Sequence, residues 1–146
     1  MQIVGFTLTK ILIDRKNDMK GKFQVSSKID IKDVKEEKIK LVENKDVLKF
    51  DFEYSINYEP ELAELLFRGF ILVMAEPKEA KGILEEWKKK KILESDIKLR
   101  VFNTIFHKCN IKALELEEDF NLPPHLRLPI IRPEEEKTSK SSTYTG

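Results

Sequence analysis

The sequence predicts an α+β fold: a four-stranded antiparallel sheet with a long C-terminal helix packed on one face and a shorter helix before it. Three observations predict it. Apolar and polar residues alternate from Leu48 to Tyr58, the period changes from two to about 3.6 residues after Ala75, and the strand-like stretches are joined by short turns. Connections this short usually place sequential strands side by side, so an antiparallel meander is expected.

The first strand runs from Phe6 to Ile13, where Thr7 and Thr9 interrupt Leu and Ile. In the second, Phe23, Val25, Ile29 and Ile31 recur against Gln24, Ser26, Lys28 and Asp30, giving one dry and one wet face. The third sets Leu48, Phe50, Phe52, Tyr54, Ile56 and Tyr58 against Lys49, Asp51, Glu53, Ser55 and Asn57. The fourth, Leu65 to Ala75, is apolar on both parities, which suits a strand covered on both faces or one lying at an oligomer seam. Turn signals fall at Asn17-Asp18 with Gly21, at Asn44-Lys45-Asp46 and at Glu59-Pro60-Glu61.

Pro77 opens the shorter helix at a position where its missing N–H does no harm. Ala80, Ile83, Leu84 and Trp87 form its apolar stripe, and Lys88 to Lys91 complement the negative carboxyl end. The long helix starts near Ser95, whose hydroxyl is expected to cap it, and continues through Ile97, Val101, Ile105, Cys109, Ala113, Leu116 and Phe120. Phe102 and Phe106 widen that stripe. Leu122 ends the helix before Pro123-Pro124, and His125 to Ile131 reads as an extended segment with Leu126, Leu128 and Ile130 on one side. Residues 1–132 are therefore expected to form a single domain. Residues 133–146, rich in Glu, Lys, Ser and Thr, are expected to form a flexible polar tail.

Composition narrows the function classes. Twenty-seven Lys+Arg oppose 26 Asp+Glu for a net charge of +1, with 36% of residues charged and the signs interspersed, which argues against a dedicated nucleic-acid or membrane-surface protein. The longest apolar run is broken at Arg68 and falls short of the roughly 18 residues that span a bilayer, so no membrane insertion is expected. Met1 to Lys10 contains no small-residue cleavage site, and no cleavable leader is expected. A single cysteine excludes an intrachain disulfide and a cysteine metal cluster, and a reducing cytoplasmic setting is the simplest expectation.

Chemistry-bearing motifs are few. His107 and Cys109 lie about 200° apart around a helix and cannot share a site; Cys109 falls on the apolar stripe, where a thiol acts as a small hydrophobe. His125 has no second histidine or cysteine fixed beside it, and almost all of the acidic residues are expected on wet faces. Among five glycines there is no phosphate loop and no dinucleotide fingerprint, nor is there a serine-nucleophile elbow. No catalytic residue, metal or cofactor is expected. Lys88 to Lys91 has one neighbouring aromatic, Trp87, which the helix stripe already claims. What stands out is surplus apolar surface. The two-faced fourth strand, Phe102, Phe106, Leu126, Leu128 and Ile130 exceed what one sheet–helix interface consumes, so a homodimeric or homotetrameric seam, a binding groove, or both must use them.

The order of strands and helices, followed by Phe120-Asn121-Leu122-Pro123-Pro124-His125-Leu126-Arg127-Leu128-Pro129-Ile130, resembles the SecB family of export chaperones, in which a long helix ends in a similar extended segment. Asp46 to Pro60, Phe67 to Met74 and Ile97 to Phe120 also resemble archaeal members described as SecB-like. The similarity covers roughly Phe23 to Ile131. It implies the fold predicted above, dimers pairing into tetramers, grooves that hold unfolded polypeptide, and neither cofactor nor ATP hydrolysis. Two departures stand beside it: a charged helix, Pro77 to Lys91, replaces a glycine- and aromatic-containing crossover, and a polar tail replaces a final helix. Phe102, Phe106, Leu126, Leu128 and Ile130 are the expected client-binding residues, each supplying apolar contact, in export, toxin–antitoxin control or general holdase activity. The alternative is a homo-oligomeric adaptor that binds one folded partner.

Overall fold

The computed structural model describes residues 1–131 and 133. The expected tail, apart from Pro133, lies outside the described residues. Four strands, β1 (Gln2–Arg15), β2 (Gln24–Glu37), β3 (Asp46–Glu59) and β4 (Ala63–Ala75), precede two helices, α1 (Pro77–Lys90) and α2 (Ser95–Asp119). All neighbouring strands are antiparallel, but their spatial order is β1-β4-β3-β2. The meander is therefore overturned: β2, β3 and β4 form one, while β1 returns to lie beside β4 in a Greek key. The segment from Lys16 to Phe23 makes the crossing, and the turn between β3 and β4 pins it. Lys16 N and Asn17 N both donate to Leu62 O, at 2.8 and 3.2 Å, and Asn17 Nδ2 donates to Glu61 O at 2.7 Å.

β4 divides its apolar residues between two faces. It is an interior strand, flanked by β1 and β3, and its Leu65, Phe67, Ile71 and Val73 lie in the core with Leu48, Phe50, Tyr54 and Ile56 of β3. Its other face carries Leu66, Phe70, Leu72 and Met74, which the helices do not cover. Lys49 Nζ sits 4.5 Å from the centre of the Phe70 ring on that side.

Pro77 does occupy the start of α1, and Ala80, Ile83 and Trp87 bury its inner stripe. On α2, Ser95 is the first helical residue rather than the cap; Glu94 takes the cap position in extended backbone and makes no side-chain capping bond. The buried line of α2 is Ile97, Val101, Ile105, Cys109, Ala113 and Glu117. Leu116 is only partly buried, and Phe120 is 38% exposed. Steps of four overshoot a helical turn by about 40°, so the line winds around the helix and reaches a carboxylate where Leu116 and Phe120 were expected. No helix among the described residues is long and apolar enough to cross a membrane.

Candidate functional site

Phe102, Phe106 and Asn110 follow one another at four-residue steps on the flank of α2 beside its buried line, and each meets something different. Phe102 joins Ile29 and Ile31 of β2, Trp87 of α1 and Leu93 of the connecting turn around a groove of about 280 Å³. Lys91 and Lys98 stand at its rim, with their Nζ atoms 5.2 Å from the Trp87 ring and 5.4 Å from the Phe102 ring. Phe106 packs edge-on against Tyr54, with ring centroids 5.5 Å apart at 82°, and keeps 38% of its surface in solvent.

Asn110 begins a buried polar chain. Its Oδ1 accepts the Tyr54 hydroxyl at 2.7 Å and lies 2.8 Å from Nε2 of His125. On the other side of the ring, Nδ1 donates to the Glu117 carboxylate, 2.8 Å from Oε1 and 2.7 Å from Oε2, and the His125 backbone N–H donates to Oε1 at 2.9 Å. The two side chains are 2% and 1% exposed. The Tyr58 hydroxyl donates to the carbonyl of Pro123. Burial, and then the nearby Glu117 carboxylate, hold the Tyr58 hydroxyl well above its ordinary pKa, and burial raises that of Tyr54.

This chain of bonds depends on how α2 ends. Asn121 takes φ 55°, a left-handed conformation that asparagine tolerates. Its N–H bonds to Glu118 O at 3.1 Å and the N–H of Leu122 to Glu117 O at 2.8 Å, the Schellman pattern, with Leu122 buried as its hydrophobic anchor. The chain reverses there and brings His125 back onto the last turns of α2. Leu126, Leu128 and Ile130 follow without regular structure and remain 43%, 53% and 58% exposed.

The structure thus places the expected residues in two groups: Phe102 and Phe106 along α2, the first beside β2 and the second against Tyr54 of β3, and Leu126, Leu128 and Ile130 on the arm clasped to the same helix through Asn110 and Glu117. Glu117 is a buried exception to the expectation that almost all acidic residues lie on wet faces. Continuing the spacing of Ile97 to Ala113 one step further reaches it, and that was the available signal. Trp87, Lys91 and Lys98 were also missed as groove residues, because stripe and dipole accounted for them. No group of three or more potential metal ligands occurs among the described residues.

Cys109 lies in the core as expected, and burial pushes its thiol up to about 12. Native protein at pH 8 is expected to resist alkylation by iodoacetamide and react only after denaturation, as mass spectrometry would read. The proton difference also sets a sign. The folded thiol keeps its proton above its ordinary pKa of 9.0, so this contribution to stability is complete below that pH and is lost as pH rises toward about 12.

No family model and no curated protein matches the sequence. Among solved structures, the chain is similar to the SecB-like chaperone Rv1957 of Mycobacterium tuberculosis, determined in complex with a ChAD peptide from the Rv1956 HigA1 antitoxin, with a TM-score of 0.53. The fold is SecB-like. The correspondence covers 90% of this chain and 89% of that one at 14% identity, so what the two share is architecture more than side chains. The SecB-like fold expected from the C-terminal resemblance is present, with α2 as its long helix.

Proposed function

We propose that this protein is an ATP-independent chaperone-like homo-oligomer of the cytoplasm that binds apolar segments of non-native polypeptides. One observation carries the reading: large apolar side chains, Phe106, Leu126, Leu128 and Ile130, stay exposed along α2 and its clasped arm. Each such side chain gains on the order of 1.5–3 kcal/mol when buried, so a partner that covers several of them binds without any covalent chemistry. The peptide held by the structural neighbour supports a protein client for this fold. The binding test is a panel of unfolded model substrates measured by fluorescence anisotropy. Promiscuous binding is expected; a single protein that binds while every unfolded substrate fails would favour the adaptor, a reading supported by the one antitoxin peptide seen on the neighbour.

Self-association belongs to the same proposal. Phe70 and Leu72 are half-buried on the face of β4 away from the core, between the buried Leu66 and Met74, the kind of apolar surface a second subunit covers. Light scattering at micromolar concentration is expected to give a dimer or tetramer of the 17.1 kDa chain, and a monomer would contradict it.

A further inference from the structure

The groove beside β2 carries more than apolar surface. Trp87 is 6% exposed, yet its indole N–H has no hydrogen-bond partner among the described residues, an unusual state for a buried tryptophan. Lys91 and Lys98 stand over the aromatic rings of the groove, and neither has a carboxylate within 4.0 Å among the described residues. Asp30, the acidic residue lining the groove, pairs across the strand with Glu53, which puts its side chain on the opposite sheet face from Ile29 and Ile31. There Lys28 and Lys32 already balance it, at 3.5 and 3.8 Å. The side chains around the groove are thus apolar and cationic. Strand β2 is also a sheet edge, with no strand on its outer side among the described residues, where an extended chain can pair.

We propose that this groove binds an extended protein segment in which an acidic side chain follows a large apolar one. The apolar residue enters between Phe102, Trp87 and Leu93, and the carboxylate lies between the two lysines. The inference rests on the peptide-binding reading above and adds the chemistry of the preferred segment. It also gives the charged α1 a purpose, since that helix supplies both Trp87 and the approach to Lys91.

Trp87 is the only tryptophan, so its emission reports on the groove directly. Two short peptides, acetylated and amidated so that no terminal charge remains, carry the same apolar residues with either glutamate or lysine beside them. The full-length protein is titrated with each, reading both anisotropy of a labelled peptide and Trp87 emission. The glutamate peptide is expected to bind about five-fold more tightly, as two partly exposed charge contacts allow, and to shift the emission. The preference is expected to shrink in high salt and to reverse in Lys91→Glu with Lys98→Glu, two exposed positions whose exchange leaves the core untouched. Equal affinity of the two peptides, or glutamate-peptide binding without a change in Trp87 emission, overturns the groove while leaving the chaperone reading in place. Failure of both peptides and of all unfolded substrates overturns both. Tighter binding of a single-stranded oligonucleotide than of the glutamate peptide also overturns the proposal, because the lysines would then be reading phosphate.

Discussion

Replacing Glu117 with alanine is expected to lower the melting temperature by about 10 °C, the largest effect of any single side chain in the clasp, for a loss on the order of 3 kcal/mol. The carboxylate accepts from the backbone and the ring of His125 at 2.9 and 2.8 Å, in a site where both side chains are at most 2% exposed. Alanine leaves those donors buried without acceptors and opens a cavity beneath the arm, and the two costs add. Glutamine keeps an acceptor and is expected to recover part of the loss. Exchanging the pair together, Glu117→Leu with His125→Phe, is expected to recover only part of it: apolar packing fills the cavity and removes the ring donor, but the backbone N–H of residue 125 stays without its acceptor. Thermal melts followed by circular dichroism check all three. A Glu117→Ala melt within about 2 °C of wild type would show that the clasp contributes little to stability.

Gly69→Ala is expected to be comparably damaging, for a steric reason. A Cβ at this position would lie 2.2 Å from the carbonyl oxygen of Thr7 and 3.1 Å from Cα of Leu8, both backbone atoms of β1. The close approach sits next to the register shift between Leu8 and Lys10, where β1 bulges against β4. The neighbouring backbone must move, so β1 is expected to loosen from the sheet at a cost of about 3 kcal/mol, the upper end of overpacking penalties. Hydrogen exchange would locate the damage: faster exchange in residues 2–15 with β2 and β3 still protected supports the account, whereas an unchanged pattern and melt would contradict it.

How far these features could be read from the chain depends on whether their cause is local. The alternation of Leu48 to Tyr58 and the period change at Pro77 are properties of neighbouring residues, and strands and helices follow where they point. Strand order is not local. The turn residues predict where the chain reverses, but the pairing of β1 with β4 is a contact between segments some 60 residues apart. Gly69 shows the same limit: a glycine inside a strand announces a bulge or a close approach, but only the fold reveals that Thr7 is what approaches.

The candidate site divides likewise. Phe102, Phe106, Leu126, Leu128 and Ile130 were legible because large apolar residues in excess of one interface must go somewhere. Glu117 was not, although it stands in phase with Ile97 to Ala113, because a carboxylate on an otherwise apolar line is usually solvated. Its partner lies eight residues on, beyond two prolines, and only the left-handed turn at Asn121 brings the two together. The cationic rim of the groove was hidden for a similar reason. Lys91 had a sufficient local explanation in the helix dipole, and Lys98 is in place only because α2 packs beside α1 and β2.

The central claim is that the exposed arm after α2 captures unfolded chain, and suppression of aggregation by wild type and by Leu126→Ser with Leu128→Ser tests it most directly. Both leucines are exposed, so the variant is expected to keep its oligomeric state, helix content and cooperative melt. Wild type at stoichiometric ratio is expected to delay aggregation of a heat-unfolded substrate, and the variant to have lost most of that delay. Wild-type protein that delays aggregation of no unfolded substrate, even at low salt, or a folded double variant that protects as well as wild type, would contradict the claim.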